Sequence, residues 1–332
     1  MSPKPQALFI LDPGSAAAIY PPAIRSAIQA LATVPVPPLA AKDALACPHL
    51  AETEVIFSGW GAPKLDAAFL AAAPKLKCVF YGAGSVRCFV TDEFWERGIR
   101  VWSAWAANAV PVAEFTLAQI LLSLKQAWRY AAETRRLGAH PPRLPVAGGY
   151  GSTVALISLG MIARRLRGLL KPFDLKVIAF DPFVTPADAA ALGVELVSLE
   201  EAFQRGDVVS LHTPWLKETE GMVTGAHFQQ MKPNATFINT ARGAVVNEPE
   251  MIAALQRRPD LTALLDVTFP EPPLPGSPLY TLPNVVLTPH IAGSMDGECA
   301  RMGAYMLEEF RNWLDGKPPR WELDRDKAAR LA

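Results

Sequence analysis

The sequence predicts an α/β protein of two domains, each built on a doubly wound parallel sheet, and three observations predict it. Its 332 residues exceed what one small core needs and suit two domains of ordinary size. Half of them are hydrophobic and only 19% are charged, so large sheets can be buried and the chain is globular, not disordered. Short apolar runs also alternate with amphipathic stretches along the chain, as they do when parallel strands are joined by helical crossovers.

In the first hundred residues, Ala7 to Leu11, Glu54 to Phe57, Lys77 to Phe80 and Ile99 to Trp102 read as strands. The stretches Ala23 to Leu31 and Leu65 to Ala73 between them have helical spacing. Val34 to Leu39, with three prolines, reads as a loop. From Asn108 one long helical pattern runs to about Arg136, with Val110, Ala113, Leu117, Ile120, Leu121 and Leu124 on its apolar face. Gly138 to Gly151, rich in proline and glycine, is a loop that introduces the second unit. There Thr153 to Ile157, Lys176 to Phe180, Val208 to Leu211, Thr236 to Ile238, Thr262 to Leu265 and Val285 to Leu287 are six strand candidates. A last helix, about Glu298 to Leu314, has an apolar stripe to bury and is expected to return to the N-terminal domain.

Charge excludes several classes. The 32 basic and 32 acidic residues cancel and are scattered, so the footprint of a nucleic-acid or anionic-membrane binder is missing and small-molecule chemistry is favoured. The four cysteines, Cys47, Cys78, Cys88 and Cys299, form no CxxC pair, which argues against a zinc site, any other metal centre of that kind or a disulfide framework. Neither a secretory leader nor a spanning segment is read from the sequence, and cytoplasmic residence is the expectation.

Ser158-Leu159-Gly160-Met161-Ile162-Ala163 lies between a strand and a helix, where a G-x-G-x-x-G turn would stand, with serine first and alanine last. Gly160 keeps the position where backbone approaches a pyrophosphate, and the helix N-terminus supplies amide donors. If the turn needs positive φ at Ser158, the serine costs on the order of 1 kcal/mol. Asp181 ends the next strand about 20 residues on, where a carboxylate can take ribose hydroxyls and would repel a 2′-phosphate, favouring NAD over NADP. Arg164, Arg165 and Arg167 are either phosphate ligands or a solvated basic face, the second reading being preferred.

Three polar residues follow apolar runs in the C-terminal half: Arg242 in NTARG, Glu271 in DVTFPEP and His290 in TPHIAG. Strand ends of a parallel sheet converge on one crevice, so these residues can act on one small molecule. An arginine grips a carboxylate bidentately, a histidine passes a proton near neutral pH, and a glutamate holds that histidine charged. Together they suit interconversion of a 2-keto acid and a 2-hydroxy acid.

The segments VVSLHTP (208–214), MKPNATFINTARG (231–243), Asp266 to Pro272 and LPNVVLTPHIAG (282–293) follow one another in an order that resembles the D-isomer-specific 2-hydroxyacid dehydrogenase family. The resemblance runs from about Lys77 to Gly316. It implies a flavodoxin-like substrate domain (1–106 and 294–332) and a Rossmann NAD-binding domain (107–293). It also implies that Arg242 binds the substrate carboxylate and keto oxygen, His290 is the acid/base and Glu271 orients it. Asp266 would face the nicotinamide carboxamide, and Thr213, Thr240 and Ala241 would line the cofactor, with Met161 and Ile162 at the pyrophosphate turn. In Tyr81-Gly82-Ala83-Gly84 the amides of Ala83 and Gly84 would receive the carboxylate. Asn108-Ala109 and Val112-Ala113-Glu114 match the start of the family's dimer helix, so a homodimer is implied.

The chain departs from the family's pattern in two places. Val86-Arg87 replaces an Asp-Asn pair, and Arg87 serves either a second acidic group on the substrate or, preferably, a surface salt bridge. A tryptophan usual before the cofactor strand is absent from 136–151. Trp102 and Trp105 are open between pocket and core. An NAD-binding regulator without turnover is the rival function on the same scaffold, and formate oxidation is disfavoured because Glu271 stands where those enzymes carry glutamine.

Overall fold

The computed structural model describes residues 3–330. Its strands, in chain order, are β1 (Ala7–Phe9), β2 (Val55–Ser58), β3 (Cys78–Tyr81), β4 (Arg100–Ser103), β5 (Thr153–Ile157), β6 (Lys176–Phe180), β7 (Glu195–Leu196), β8 (Val208–Leu211), β9 (Thr236–Asn239), β10 (Thr262–Leu265), β11 (Val285–Leu287) and β12 (Glu322–Leu323). The described chain folds as two compact units, one formed by residues 3–108 together with 294–330, the other by Ala109–Gly293.

In the first unit the sheet order is β1-β2-β3-β4-β12, parallel except for β12, which pairs antiparallel with β4. The loop expected over 34–39 is bracketed by isolated parallel bridges at Thr33 and Leu39, which make the segment an interrupted edge beside β1. Ala7 N donates to Thr33 O at 2.9 Å and Leu11 N to Leu39 O at 3.0 Å, while Leu39 N donates back to Phe9 O at 2.9 Å. Pro35, Pro37 and Pro38 lack the N–H groups that a continuous ladder needs, so only the two ends of the segment pair. Counting that edge second gives the 2-1-3-4-5 order of a flavodoxin-like sheet.

Register aligns Phe9, Phe57, Phe80 and Trp102 on one face of neighbouring strands. Their rings stack at centroid distances of 5.2, 5.4 and 4.7 Å, and Phe310 meets Phe57 edge-on at 5.1 Å. Trp102 is therefore core. Phe310 comes from the helix Cys299–Leu314, which packs on this sheet as expected of a long terminal helix with an apolar stripe. Gly303 in that helix is required by close approach, since a Cβ there would lie 1.8 Å from Ile19 O.

The second unit holds a seven-stranded sheet, order β11-β10-β9-β8-β5-β6-β7, parallel throughout. Numbered from β5, this is the 3-2-1-4-5-6 order of a Rossmann sheet with one strand added beyond the sixth. The short β7 is additional to the six strand candidates, because two residues that are not buried carry no apolar run. Central β5, β8, β9 and β10 are buried on both faces, which is why each reads as continuous apolar sequence rather than alternation.

The long helix expected over 108–136 is two helices, Trp105–Ser123 and Ala127–Leu137. Gln126 breaks it: its φ of 54° is left-handed, and its side-chain amide donates to Asn234 O at 2.6 Å. By length and composition alone Trp105–Ser123 passes for a membrane span, a test that a buried core helix also passes. Ala113 and Ile120 of this helix nevertheless pack in a core with Val154, Leu156 and Ile238, and Thr116, Gln119 and Ser123 are buried.

Candidate active site

The second sheet changes direction of winding between β5 and β8, and ligands of such sheets lie beyond the carboxyl ends of the strands at that switch point. Ser158 leaves β5 on one side and Thr213 leaves β8 on the other, and their hydroxyls are 2.8 Å apart. Ser158 has φ 76°, so the turn does demand the left-handed conformation that glycine normally supplies. The strain is offset locally. Ser158 N donates to Phe180 O at 2.7 Å, Leu159 N donates to Asp181 Oδ2 at 2.7 Å, and Arg164 Nε donates to Leu159 O at 2.7 Å.

Gly160 caps the helix Met161–Leu170 without any side-chain hydrogen bond to its first turn. A Cβ built on Gly160 meets no protein atom within 4 Å. Nothing in the protein therefore forbids a side chain there, and the open approach to uncapped amides fits a pyrophosphate. Asp181 is half-buried with each oxygen taking one backbone amide, from Leu159 and, at 2.8 Å, from Phe183. A carboxylate has about four acceptor positions, so capacity for ribose hydroxyls remains. Arg164 and Arg167 are tied to backbone carbonyls, Leu159 O and Gly193 O, rather than pointing as a pair at a phosphate.

Arg242, Glu271 and His290 leave the neighbouring strands β9, β10 and β11 in that order. Arg242 is half-buried and extended, with its carbonyl held by the Asn239 side chain at 3.0 Å. Gly243 must be glycine, because a Cβ would lie 2.0 Å from the Thr268 carbonyl carbon and 2.6 Å from Phe269 N. That close approach draws the Arg242 turn against the segment leading to Glu271. Thr240 and Ala241 are buried beside it, and Thr240 Oγ1 lies 3.2 Å from Thr116 Oγ1.

Glu271 Oε1 is 2.6 Å from His290 Nδ1, and both side chains are open to solvent, 41% and 47% exposed. His290 has φ 55°, with its amide donating to Asp266 O at 2.9 Å. Asp266 is 4% exposed, and its carboxylate collects the whole loop around His290. Oδ1 accepts from Thr288 Oγ1 at 2.6 Å and Ile291 N at 2.8 Å, and Oδ2 accepts from Ala292 N at 2.9 Å. Sequence alone assigns Asp266 a cofactor contact and misses this scaffolding part, since the amides it receives depend on a loop conformation that spacing does not reveal.

His212, inside the VVSLHTP segment, has no role in the sequence reading. Its Nε2 lies 3.0 Å from Ser210 Oγ, its Nδ1 is buried without a hydrogen-bond partner, and burial pulls its pKa down to about 4. Ala83 and Gly84 belong to the first unit, where their carbonyls accept from Ser103 Oγ. Among the described residues no group of three His, Cys, Asp or Glu is placed to hold a metal ion.

Residues 117–292 match the family model of the D-isomer specific 2-hydroxyacid dehydrogenase NAD binding domain. The chain belongs to this family. D-3-phosphoglycerate dehydrogenase of Mycobacterium leprae (strain TN) is 35% identical over 259 residues, 77% of this chain and 48% of that protein. Glyoxylate reductase of Korarchaeum cryptofilum is 31% identical, over 77% of this chain and 78% of that protein. The chain thus spans about half the length of the phosphoglycerate dehydrogenases it matches. Among solved structures, the apo D-mandelate dehydrogenase of Rhodotorula graminis has a TM-score of 0.79 at 25% identity, covering 97% of this chain and 98% of that one. An NAD-complexed 2-hydroxyacid dehydrogenase from Lactobacillus delbrueckii ssp. bulgaricus has a TM-score of 0.78 over 96% of this chain and all of that one; at 22% identity it bears on the fold alone. In this family member the motif segments of the sequence therefore lie at the carboxyl edge of a Rossmann sheet.

Proposed function

We propose that the chain is an NAD(H)-dependent D-2-hydroxyacid dehydrogenase that interconverts a small 2-keto acid and its 2-hydroxy acid. The Glu271–His290 pair carries this reading. With Nδ1–H donated to the Glu271 carboxylate, Nε2 is the nitrogen that gives a proton to the keto oxygen and recovers it in reverse. Glu271 fixes the tautomer and ring orientation. Arg242 grips the substrate carboxylate and polarises the carbonyl, which orients C2 and stabilises charge that develops on oxygen. When bound, the dihydronicotinamide supplies the hydride to C2. Hydride addition alone would leave an alkoxide, so a positioned acid is needed.

The dinucleotide would be held by the amides of Met161 and Ile162 next to Gly160 at its pyrophosphate and by Asp181 at the adenosine ribose. Thr213, Thr240 and Ala241 line its path. Asp266 keeps acceptor capacity on Oδ2 for the carboxamide, because that oxygen takes one bond where Oδ1 takes two. Asp181, together with the engagement of Arg164 and Arg167 by backbone, favours NAD over NADP. The helix Ala127–Leu137 buries none of its residues within the chain and exposes Leu137, which supports a homodimer through this region, to be checked by sedimentation.

A panel of 2-keto acids assayed with NADH and with NADPH tests the function, together with Arg242→Ala and His290→Ala. We expect turnover with NADH and a loss of at least about 100-fold in kcat/KM for each variant. Rates unchanged in both variants would remove the mechanism. Tight NADH binding without turnover of any keto acid would instead indicate a regulator.

A further inference from the structure

Resting on that reading, we infer that Trp215 and Phe269 form the wall for the substituent on C3 of the substrate, and that the chain prefers keto acids with an aromatic or other apolar substituent to those with a second anionic group. Trp215 lies shortly beyond the end of β8 and Phe269 shortly beyond the end of β10, yet their rings meet edge-on with centroids 5.3 Å apart. In the sheet β9 lies between β8 and β10, so the two ring-bearing loops flank the strand whose exit carries Arg242. Glu271, two residues after Phe269, pairs with His290 at the exit of β11, the strand on the other side of β10 from β9. By this strand order a carboxylate on Arg242 would have the acid/base on one hand and the two aromatic rings on the other.

Both rings stand on loops locked by hydroxyls. Thr219 Oγ1 donates to Pro214 O at 2.6 Å and accepts from Leu216 N at 2.9 Å, bracketing Trp215. Thr268 Oγ1 donates to Pro270 O at 2.9 Å, bracketing Phe269. The backbone of Phe269 is further fixed against Gly243. Despite this order the rings remain 36% and 47% exposed, so large apolar faces are held rigidly where a ligand can cover them.

Two carboxylates stand against the rings. Trp215 Nε1 donates to Glu220 Oε2 at 3.3 Å, and Phe269 N donates to Glu248 Oε2 at 3.1 Å, where burial pushes the Glu248 carboxyl above its ordinary range. A phosphate or second carboxylate packed on the rings would face Glu220 and Glu248 and lose its own hydration. An aryl or branched alkyl group loses nothing and buries apolar surface on both sides. The match to phosphoglycerate dehydrogenases therefore does not extend to the substituent.

The experiment compares kcat/KM for phenylpyruvate, glyoxylate and 3-phosphohydroxypyruvate in the wild type, Trp215→Ala and Phe269→Ala. Both rings are partly exposed, so the variants retain the fold, which circular dichroism verifies. We expect the wild type to favour phenylpyruvate over the phosphorylated acid and each variant to lower the phenylpyruvate-to-glyoxylate ratio by about tenfold or more. Preference for the phosphorylated acid, or a ratio shifted by less than about twofold, overturns the inference. If no keto acid turns over, the proposed function fails, and calorimetry of phenylpyruvate with the NADH complex decides the rings separately. A Kd about tenfold weaker in Trp215→Ala then supports the aromatic wall, and an unchanged Kd overturns it.

Discussion

The turn after β5 and the loop after β11 lie at the carboxyl edge of one sheet, and each holds a non-glycine residue at positive φ, Ser158 at 76° and His290 at 55°. They are secured in opposite ways. At the turn, restraint is spread over separate hydrogen bonds that involve Phe180, Asp181, Thr213 and Arg164. At the loop it is concentrated in Asp266, whose carboxylate takes bonds from Thr288, Ile291 and Ala292. Distributed restraint tolerates departure from a motif, which is how a serine stands where glycine is usual. Concentrated restraint does not, and there the family's segment is retained.

The largest effect should follow from breaking the concentrated side. Asp266→Ala leaves three donors at a buried position without their acceptor and should cost about 3 kcal/mol or more of stability. Because the loop carries His290, kcat should fall with it. Asp266→Asn keeps one acceptor oxygen and should lose less of both. Denaturant unfolding and steady-state rates on the two variants give the ordering. Equal stability of Asp266→Ala and wild type would mean that the loop is held by something other than this carboxylate.

A second test lies on the β8 side of the turn. His212 has its pKa lowered by burial from 6.5 to about 4, so the folded state resists a proton that the unfolded state accepts. No stability is at stake above about pH 6.5; as pH falls from there towards 4 the unfolded state gains protons first, and stability drops by about 3 kcal/mol before levelling off. His212→Gln should flatten that part of the profile. Urea midpoints at about pH 7.5 and about pH 4.5 suffice, and the same decline in both proteins would assign the acid sensitivity to other groups.

This contrast also explains what could be read from sequence. Buried strands such as TVALI and TALL announce themselves because a parallel strand covered on both faces is apolar throughout, and Arg242, Glu271 and His290 are placed by the strand ends that precede them. Strand-end logic brings Glu271 to His290 without any knowledge of the loop between. Other features depend on backbone conformation rather than composition and stay hidden. Gln126 breaks a helix whose apolar spacing continues through it, the prolines at 35, 37 and 38 conceal an edge strand paired only at its ends, and the amides gathered by Asp266 are sequence-neutral. Trp215 and Phe269 are far apart in the sequence and meet only because β8 and β10 flank β9.

The smallest effect should come from Ser158, and its sign separates strain from tethering. Ser158→Gly removes the cost of a side chain at φ 76°, on the order of 1 kcal/mol, but also removes the hydroxyl bonded to Thr213. Ser158→Ala removes the hydroxyl and keeps the strain. If restraint at the turn is spread as described, the glycine variant should be as stable as the wild type or slightly more so, the alanine variant should be destabilised by about 1 kcal/mol, and the two should differ by the strain alone. The Kd for NADH should rise only a few-fold in either, because the amides of Met161 and Ile162 proposed to face the pyrophosphate depend on the helix and on the Leu159–Asp181 bond, which neither change touches. A collapse of NADH binding in Ser158→Gly would show instead that the Ser158–Thr213 bridge across the switch point holds the turn by itself, making it a second concentrated restraint like Asp266 and erasing the contrast between the two regions.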